Sequence, residues 1–437
     1  MPQGCKMRSE LLGNPKVLLA SQVIGKEVIL MLYVGIDVGL KENKARFIDD
    51  SGNDCWNRLA FPNDADGAVA LVRETCRALA RHGFQAVAFG MEATSFYTWH
   101  LALYLTGAAE LAPFGPQVYI FNPKKKSLKN LPKNDWIDAW VAANRVRFGQ
   151  LPKPFAPDER YLPLQRLTRH RYHLVQQLTR EKNYFLSYLF LKCSRLAQAC
   201  PLSSPLGASA AALVTEYYSA EEIAAAPLEE LAQFLAEKSK NKITTPEIVA
   251  AEFQKAARDS YKLPDKLKDP VNRIMASTLQ TIRHLQKQVK ETDKAITQEM
   301  AGFNNPLLTI PGLGPVLSAG IIAEIGNVKN FPDDDAVAQF AGLTWKENQS
   351  AGFVGEDTPL TKSGNAYLRY YLIEAANCVR MHNAEYQEYY QRKYAEAKKH
   401  HHKRACVLTA RKLVRLVYAM LRDNRAYTKP ERTVVNQ

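Results

Sequence analysis

Asp135 and Asp138 stand three residues apart in Lys133-Asn134-Asp135-Trp136-Ile137-Asp138-Ala139, a stretch that reads as the opening of a helix. At about 3.6 residues per turn, side chains at i and i+3 point the same way. The two carboxylates therefore face one spot. Like charges held close raise each other's pKa, and a hard divalent cation that prefers oxygen ligands relieves the pair. An acidic first turn is also favourable against the helix dipole wherever it occurs, so the pair points to a metal only if further acids reach the same place.

Whether they do depends on the elements around them. Leu32 to Gly39 reads as a short apolar strand carrying Asp37, and Lys44 to Ile48 as a second strand. Asp49-Asp50-Ser51-Gly52-Asn53 is a hairpin turn, rich in residues that tolerate unusual backbone angles, and Trp56 to Phe61 is the expected return. Asp64 to Arg81 has helical spacing and is closed by Gly83 at the cap position. Gln85 to Gly90 is a buried strand delivering Glu92, a helix follows through Trp99, Leu103 and Leu105, Gln117 to Phe121 is the last strand, and the Asp135 helix comes after it. Three strands, helix, strand, helix, strand, helix is the order of a ribonuclease-H-like mixed sheet. In such a sheet the last helix packs beside the first strand, and sites form at strand ends. Asp37, Glu92, Asp135 and Asp138 are then expected to meet as a metal-binding cluster.

Composition narrows the class of partner. The chain has 437 residues with 46% hydrophobic and 23% charged content, which is that of a folded multidomain protein. A net charge of +14 with a pI near 9.3 favours a polyanionic partner without separating DNA, RNA and an acidic membrane surface. Seven scattered cysteines with no CxxC spacing argue against a disulfide framework and a zinc ribbon, and fit a reducing cytoplasm. The apolar run Val28 to Val34 is too short to span a bilayer, so no membrane partner is expected, and residues 1–30 read as a poorly structured leader.

Beyond the α/β region of 31–150 the pattern turns all-α. Leu167, Leu174, Leu178, Phe185 and Leu189 mark a long amphipathic helix, residues 200–208 break it, and short helices fill the Ala-rich stretch that follows. Met275, Ile282, Val289 and Ile296 recur at an interval of seven on a second long helix. That interval suits a coiled-coil seam or antiparallel packing on the first long helix. Residues 151–302 thus form a helical, partly coiled-coil spacer with an insertion. A third unit, 303–425, opens with Leu308-Thr309-Ile310-Pro311-Gly312-Leu313-Gly314-Pro315, shaped like a helix-hairpin-helix turn whose Gly312 and Gly314 backbone would face a phosphate. Two polar loops follow, one carrying Ser350 and one Lys362. Lys124, Lys125, Lys126, Lys129 and Lys133 form a basic loop, and Lys398 to Arg422 a basic segment in which His400-His401-His402 reads as a phosphate-facing or solvated surface. Residues 426–437 are a tail.

Taken together and in order, Tyr33-Val34-Gly35-Ile36-Asp37, Met91-Glu92-Ala93-Thr94, Asn134-Asp135-Trp136-Ile137-Asp138-Ala139, Ile310-Pro311-Gly312-Leu313-Gly314 and Phe340-Ala341-Gly342-Leu343-Thr344 resemble the DEDD transposases of insertion-sequence family one hundred and ten, relatives of the Piv DNA invertases. The resemblance implies a RuvC-like domain binding Mg2+ (or Mn2+) through Asp37, Glu92, Asp135 and Asp138. It also implies a helical C-terminal transposase domain whose nucleophile is Ser350. Ser318 and Ser363 are rivals by residue type, and the resemblance alone favours Ser350. It further implies double-stranded donor and target DNA, a bridge RNA that selects them, and a homodimer or homotetramer in the bacterial cytoplasm at the nucleoid. Ser95 stands where a glycine commonly follows Glu-Ala-Thr, and the middle region is longer than in compact members.

The implied reaction is a metal-assisted serine recombination through a covalent phosphoserine–DNA intermediate, with the lysines neutralising backbone phosphates. A RuvC-like structure-specific endonuclease would use the same acids with water as nucleophile. An ATPase of the actin and sugar-kinase superfold is suggested by Gly35-Ile36-Asp37-Val38-Gly39, and a nonenzymatic nucleic-acid scaffold would use the acids only as caps.

Overall fold

Alternation along the first strand decides where its acid goes. Leu32, Val34, Ile36 and Val38 enter one core while Tyr33 enters another on the opposite face, as a period of two requires. Gly35 and Asp37 share the Tyr33 face. The computed structural model describes residues 30–93, 96–121, 134–149, 151, 154–345, 349–350, 353–354 and 359–429, in two compact units that divide between Pro157 and Asp158. Residues 1–29 of the leader, Ser95, the basic loop of Lys124, Lys125, Lys126, Lys129 and Lys133, and the last eight residues of the tail lie outside the described residues.

The first unit runs β1 (Met31–Val38), β2 (Glu42–Ile48), β3 (Leu59–Pro62), α1 (Ala65–His82), β4 (Ala86–Glu92), α2 (Tyr97–Gly107), β5 (Gln117–Phe121) and α3 (Asp135–Arg147). The sheet order is β3-β2-β1-β4-β5, antiparallel across β1, β2 and β3 and parallel across β1, β4 and β5. This is the mixed five-stranded sheet expected from the element order. The return strand is shorter than Trp56 to Phe61, because the chain bridges back only at Asp54 and then leaves the ladder until Leu59. The Trp56 indole donates instead to Glu74, 3.2 Å away. Leu71 and Leu79 of α1 and Leu101 and Leu105 of α2 cover one face of the sheet, and Ala143 and Val146 of α3 cover the other.

The second unit is helical. It begins with α4 (Leu162–Lys192), passes through α5 (Ser194–Gln198), α6 (Ala208–Glu216), α7 (Ala220–Ala225), α8 (Leu228–Ser239) and α9 (Pro246–Arg258), and returns along α10 (Asp265–Glu299). Phe185 and Leu189 share a core with Val271 and Met275, and Leu164 shares another with Ile296, so α4 and α10 lie antiparallel. Met275, Ile282 and Ile296 are buried within the chain, and this pairing accounts for their interval of seven. At the far end Lys192 is 1% exposed, and its ammonium donates to the Val214 and Tyr217 carbonyls and to Asn272 Oδ1. Burial pushes its pKa down to about 8, and the three acceptors are what make the buried amine tolerable.

After α10 come α11 (Pro315–Ile325), α12 (Asp334–Ala341), a short hairpin of β6 (Gln349–Ser350) and β7 (Phe353–Val354), α13 (Ala366–His382), α14 (Ala384–Ala395) and α15 (His401–Asp423). The expected helix-hairpin-helix is modified. Only a 3-10 turn, Pro306–Thr309, directly precedes the glycines, since Pro311 disfavours helical backbone at the residue before it and cannot donate to a continuing helix. Among the described residues no helix is long and apolar enough to cross a membrane.

Candidate metal centre and nucleophile loop

The sheet register brings the acids together. Asp37 pairs with Lys44 across β1 and β2, and Ile36 with Met91 across β1 and β4, so the next step sets Glu92 beside Asp37. Helix α3 must come very close to this face to deliver its own pair. It does so over two glycines: a Cβ on Gly35 would stand 1.9 Å from the Ala139 carbonyl oxygen, and one on Gly90 would stand 2.7 Å from that of Ala142. Asn134 caps the helix by accepting from the Trp136 N–H at 2.9 Å, which fixes where the first turn starts and hence where Asp135 and Asp138 project. With Gly35 sealed under α3, it cannot cradle a phosphate, and the feature that suggested a sugar-kinase fold is spent on helix packing.

Charge at the cluster follows from that packing. Burial, and then the Asp135, Asp138 and Glu92 carboxylates, push the Asp37 carboxyl up to about 6, with Lys44 pulling the other way. Two of the other acids have cationic neighbours. Lys44 Nζ donates to Asp135 Oδ2 at 2.7 Å and lies 5.6 Å from the centre of the Trp136 ring, and its pKa is raised chiefly by the Asp135 hydrogen bond. Arg145 Nη1 is 3.7 Å from Glu92 Oε1, with the guanidinium 4.3 Å from the centre of the Phe121 ring. Among the described residues no three His, Cys, Asp or Glu side chains are close enough to hold an ion as they stand. The donor chemistry nevertheless suits a hard cation: four carboxylates, one of them destabilised by the others, with Lys44 and Arg145 partly neutralising them.

The serine loop belongs to the second unit. Ser350 pairs with Phe353 in the β6–β7 hairpin, and the base of the loop is closed by the Trp345–Leu360 bridge and by the Thr361 N–H donating to the Thr344 carbonyl at 2.8 Å. Of its rivals, Ser318 is fully buried, its hydroxyl donating to the Pro315 carbonyl and accepting from Asn305, which removes it as a nucleophile. Ser363 is exposed. Gly312 has φ 89°, and a Cβ there would stand 2.8 Å from the Cys378 carbonyl oxygen, whereas Gly314 faces open space. The first glycine is explained by packing, and only the second is open to a ligand. Lys362 is exposed. His401 and His402 are engaged by Tyr394 and Tyr390, not gathered with carboxylates.

Sequence reasoning missed three groups. Lys44 could have been found from its place opposite Asp37 in the hairpin, because cross-strand partners project to the same face. Arg145 could not be paired from sequence. The third is the buried Glu324 carboxylate, which accepts from both Arg169 and Asn365 and joins segments far apart in the chain.

Residues 34–192 match a family model of transposases of the DEDD type, and residues 304–391 match that of the transposase IS116/IS110/IS902 family. The first range contains all four acids and the second contains Ser350, Gly312, Gly314 and Lys362. The chain is 24% identical over 401 residues to the uncharacterized 44.8 kDa protein of insertion element IS116 from Streptomyces clavuligerus, covering 91% of this chain and 96% of that one. It is 25% identical over 411 residues to the uncharacterized 42 kDa protein of insertion element IS900 from Mycobacterium paratuberculosis, covering 91% and 97%. The pilin gene-inverting protein of Moraxella bovis is 27% identical over 163 residues, 36% of this chain and 50% of that protein.

Proposed function

Because the chain is a DEDD transposase of the IS110/IS116 kind, an enzyme of DNA recombination or transposition, we propose that it joins DNA strands through a covalent link to Ser350 at a site held by Asp37, Glu92, Asp135 and Asp138. The observation that carries the reading is the Asp37 carboxyl, raised by burial and by three other carboxylates around it. Four carboxylates brought to neighbouring positions on one half-buried face are costly unless a cation resolves them. A divalent cation, Mg2+ or Mn2+, would there neutralise charge on the attacked phosphodiester and lower the pKa of the attacking hydroxyl.

The residues of the chain do the rest. Ser350 supplies the hydroxyl, and its bond to phosphorus replaces the broken strand bond without loss of bond energy, so a second strand can reverse the step and be joined. The acids and the serine lie in different units, and a homodimer or homotetramer would pair the acids of one copy with the serine of another. A bridge RNA selecting donor and target DNA is the proposed source of specificity, with the reaction taking place in the bacterial cytoplasm at the nucleoid. The pilin gene-inverting relative supports recombination as the outcome.

The test is a cleavage assay on DNA carrying element ends, with magnesium, comparing wild type with Ser350→Ala. The expected result is a protein–DNA adduct that survives denaturation in the wild type and no adduct, nicking or joining in the variant. Strand cleavage that persists in Ser350→Ala would establish the endonuclease alternative, with water as nucleophile. An adduct mapped to Ser363 would reassign the serine.

Lys44 gives a second expectation. Its ammonium holds Asp135, so Lys44→Met removes that hydrogen bond and the cation that opposes the rise at Asp37. The rise in melting temperature on adding magnesium should be larger in Lys44→Met than in the wild type. Equal rises would mean that Lys44 and the cation do not compete.

A further inference from the structure

A cleft of about 860 Å³ opens between α13, the start of α15 and the base of the Ser350 loop, and we infer that it is a nucleotide pocket, which takes one base of a single DNA strand against Trp345 and the flanking phosphates among Lys362, Lys399 and Lys403. The inference rests on the chain acting on DNA and assigns a place to one strand.

Size, sign and chemistry agree. The volume falls within the range of small-molecule sites. Among the described residues that line it, five are cationic, Arg369 and Arg404 joining the three lysines, and one, Glu374, is a carboxylate. No described carboxylate forms an ion pair with Lys362, Lys399 or Lys403. A surface that gripped phosphates alone would need no apolar lining, yet Ile373, Val407, Leu408 and Trp345 also line this cleft. An aromatic face beside a row of cations suits a nucleotide, since every base has a π-face to stack and a phosphate to neutralise.

Location supports the assignment. Trp345 and Leu360 both line the cleft and pair with each other across the base of the loop that bears Ser350. A nucleotide stacked there would lie beside the segment that presents the nucleophile. The lysines at 399 and 403 come from beyond residue 391, where the matched family segment ends. Half of the cleft is therefore outside the part of the chain that the family model describes.

The experiment measures binding by fluorescence anisotropy, using the full chain carrying Asp37→Asn, in EDTA, with a labelled twelve-nucleotide deoxythymidine strand. An abasic strand of the same length and the corresponding uridine RNA are the comparisons. These conditions need neither a divalent cation nor Ser350 chemistry, so failure of the proposed reaction would not change the outcome. The expected result is that the base-bearing DNA binds about tenfold more tightly than the abasic strand. Trp345→Leu should erase that preference, and Trp345→Phe, which keeps a ring, should retain most of it. The pair Lys399→Ala and Lys403→Ala should weaken both strands alike and flatten the dependence of log affinity on log salt by about 1.4, at roughly 0.7 per phosphate on single strands. Equal binding of abasic and base-bearing DNA by the parent chain overturns the inference, as does a preference unchanged in Trp345→Leu. A Trp345-dependent preference shown only by the RNA, or by neither nucleic acid, would assign the cleft to RNA or to an acidic protein instead, and would equally overturn it.

Discussion

Asp37→Asn is expected to stabilise the cation-free protein at pH 7.5 while abolishing strand transfer. The two effects have one origin. In the folded chain the Asp37 carboxyl sits at about 6, above its ordinary 3.8, because burial and the Asp135, Asp138 and Glu92 carboxylates disfavour its charge. The fold thus binds the extra proton between those two pH values. Its contribution to stability is complete below about pH 3.8 and is lost as the pH rises through 6. At pH 7.5 the charged form carries the full penalty, on the order of 1 kcal/mol once solvent screening at a half-exposed group is discounted.

The asparagine removes that charge, so the melting temperature without divalent cation should rise by about 3 °C. Magnesium should stabilise the wild type and leave the variant nearly unmoved. For the wild type, this magnesium effect should fade as the pH falls through 6, where the proton competes for the carboxyl. Activity should fall a thousandfold or more, since several kcal/mol of charge stabilisation would be lost at about 1.4 kcal/mol per tenfold. A variant that melts lower without cation, or that responds to magnesium as the wild type does, would separate Asp37 from the acid cluster.

Much of this cluster was legible in the chain before folding, and the reasons are local. Asp37 lies on a strand whose alternation fixes its face, Glu92 ends a strand of buried residues, and Asp135 and Asp138 share a helical turn. Each of these depends on periods of two or about 3.6. The small residues Gly35, Gly90, Ala139, Ala142 and Ala143 that let the helix approach the sheet are also in the sequence, but nothing there says which of them touch. Ser318 looked equal to Ser350 as a hydroxyl, and only burial removes it. The first helix of the expected helix-hairpin-helix shrinks to a 3-10 turn because Pro311 stands directly before Gly312. Least legible of all were the contacts between distant segments, because the pairing of a charge buried in one helix with a partner 155 positions away has no periodic trace.

That last contact yields the other large effect. Glu324→Ala is expected to destabilise the helical unit by about 3 kcal/mol, the low end for removing one partner from a buried ion pair, because the Arg169 side chain left behind is 31% exposed. The Glu324 carboxylate is buried and receives both Arg169 Nε and Nη2, at 2.7 and 2.9 Å, in the two-pronged geometry that makes arginine–carboxylate pairs strong. Its second oxygen also accepts from Asn365 Nδ2 at 2.6 Å. That bond turns the Asn365 carbonyl oxygen towards the Tyr367 and Leu368 N–H groups, each 3.0 Å away, which it caps at the start of α13. One carboxylate thus ties α4 and α11 to the residue where the loop after Ser350 rejoins the helices. Truncating it leaves the Arg169 guanidinium without its principal partner and loosens a cap worth about 1 kcal/mol. Urea unfolding of the second unit would read the loss. Arg169→Met combined with Glu324→Met should recover more than half of it, because an apolar pair carries no unpaired charge. A loss below 1 kcal/mol in Glu324→Ala, or no recovery in the double variant, would mean that α13 and the loop before it are held by packing alone.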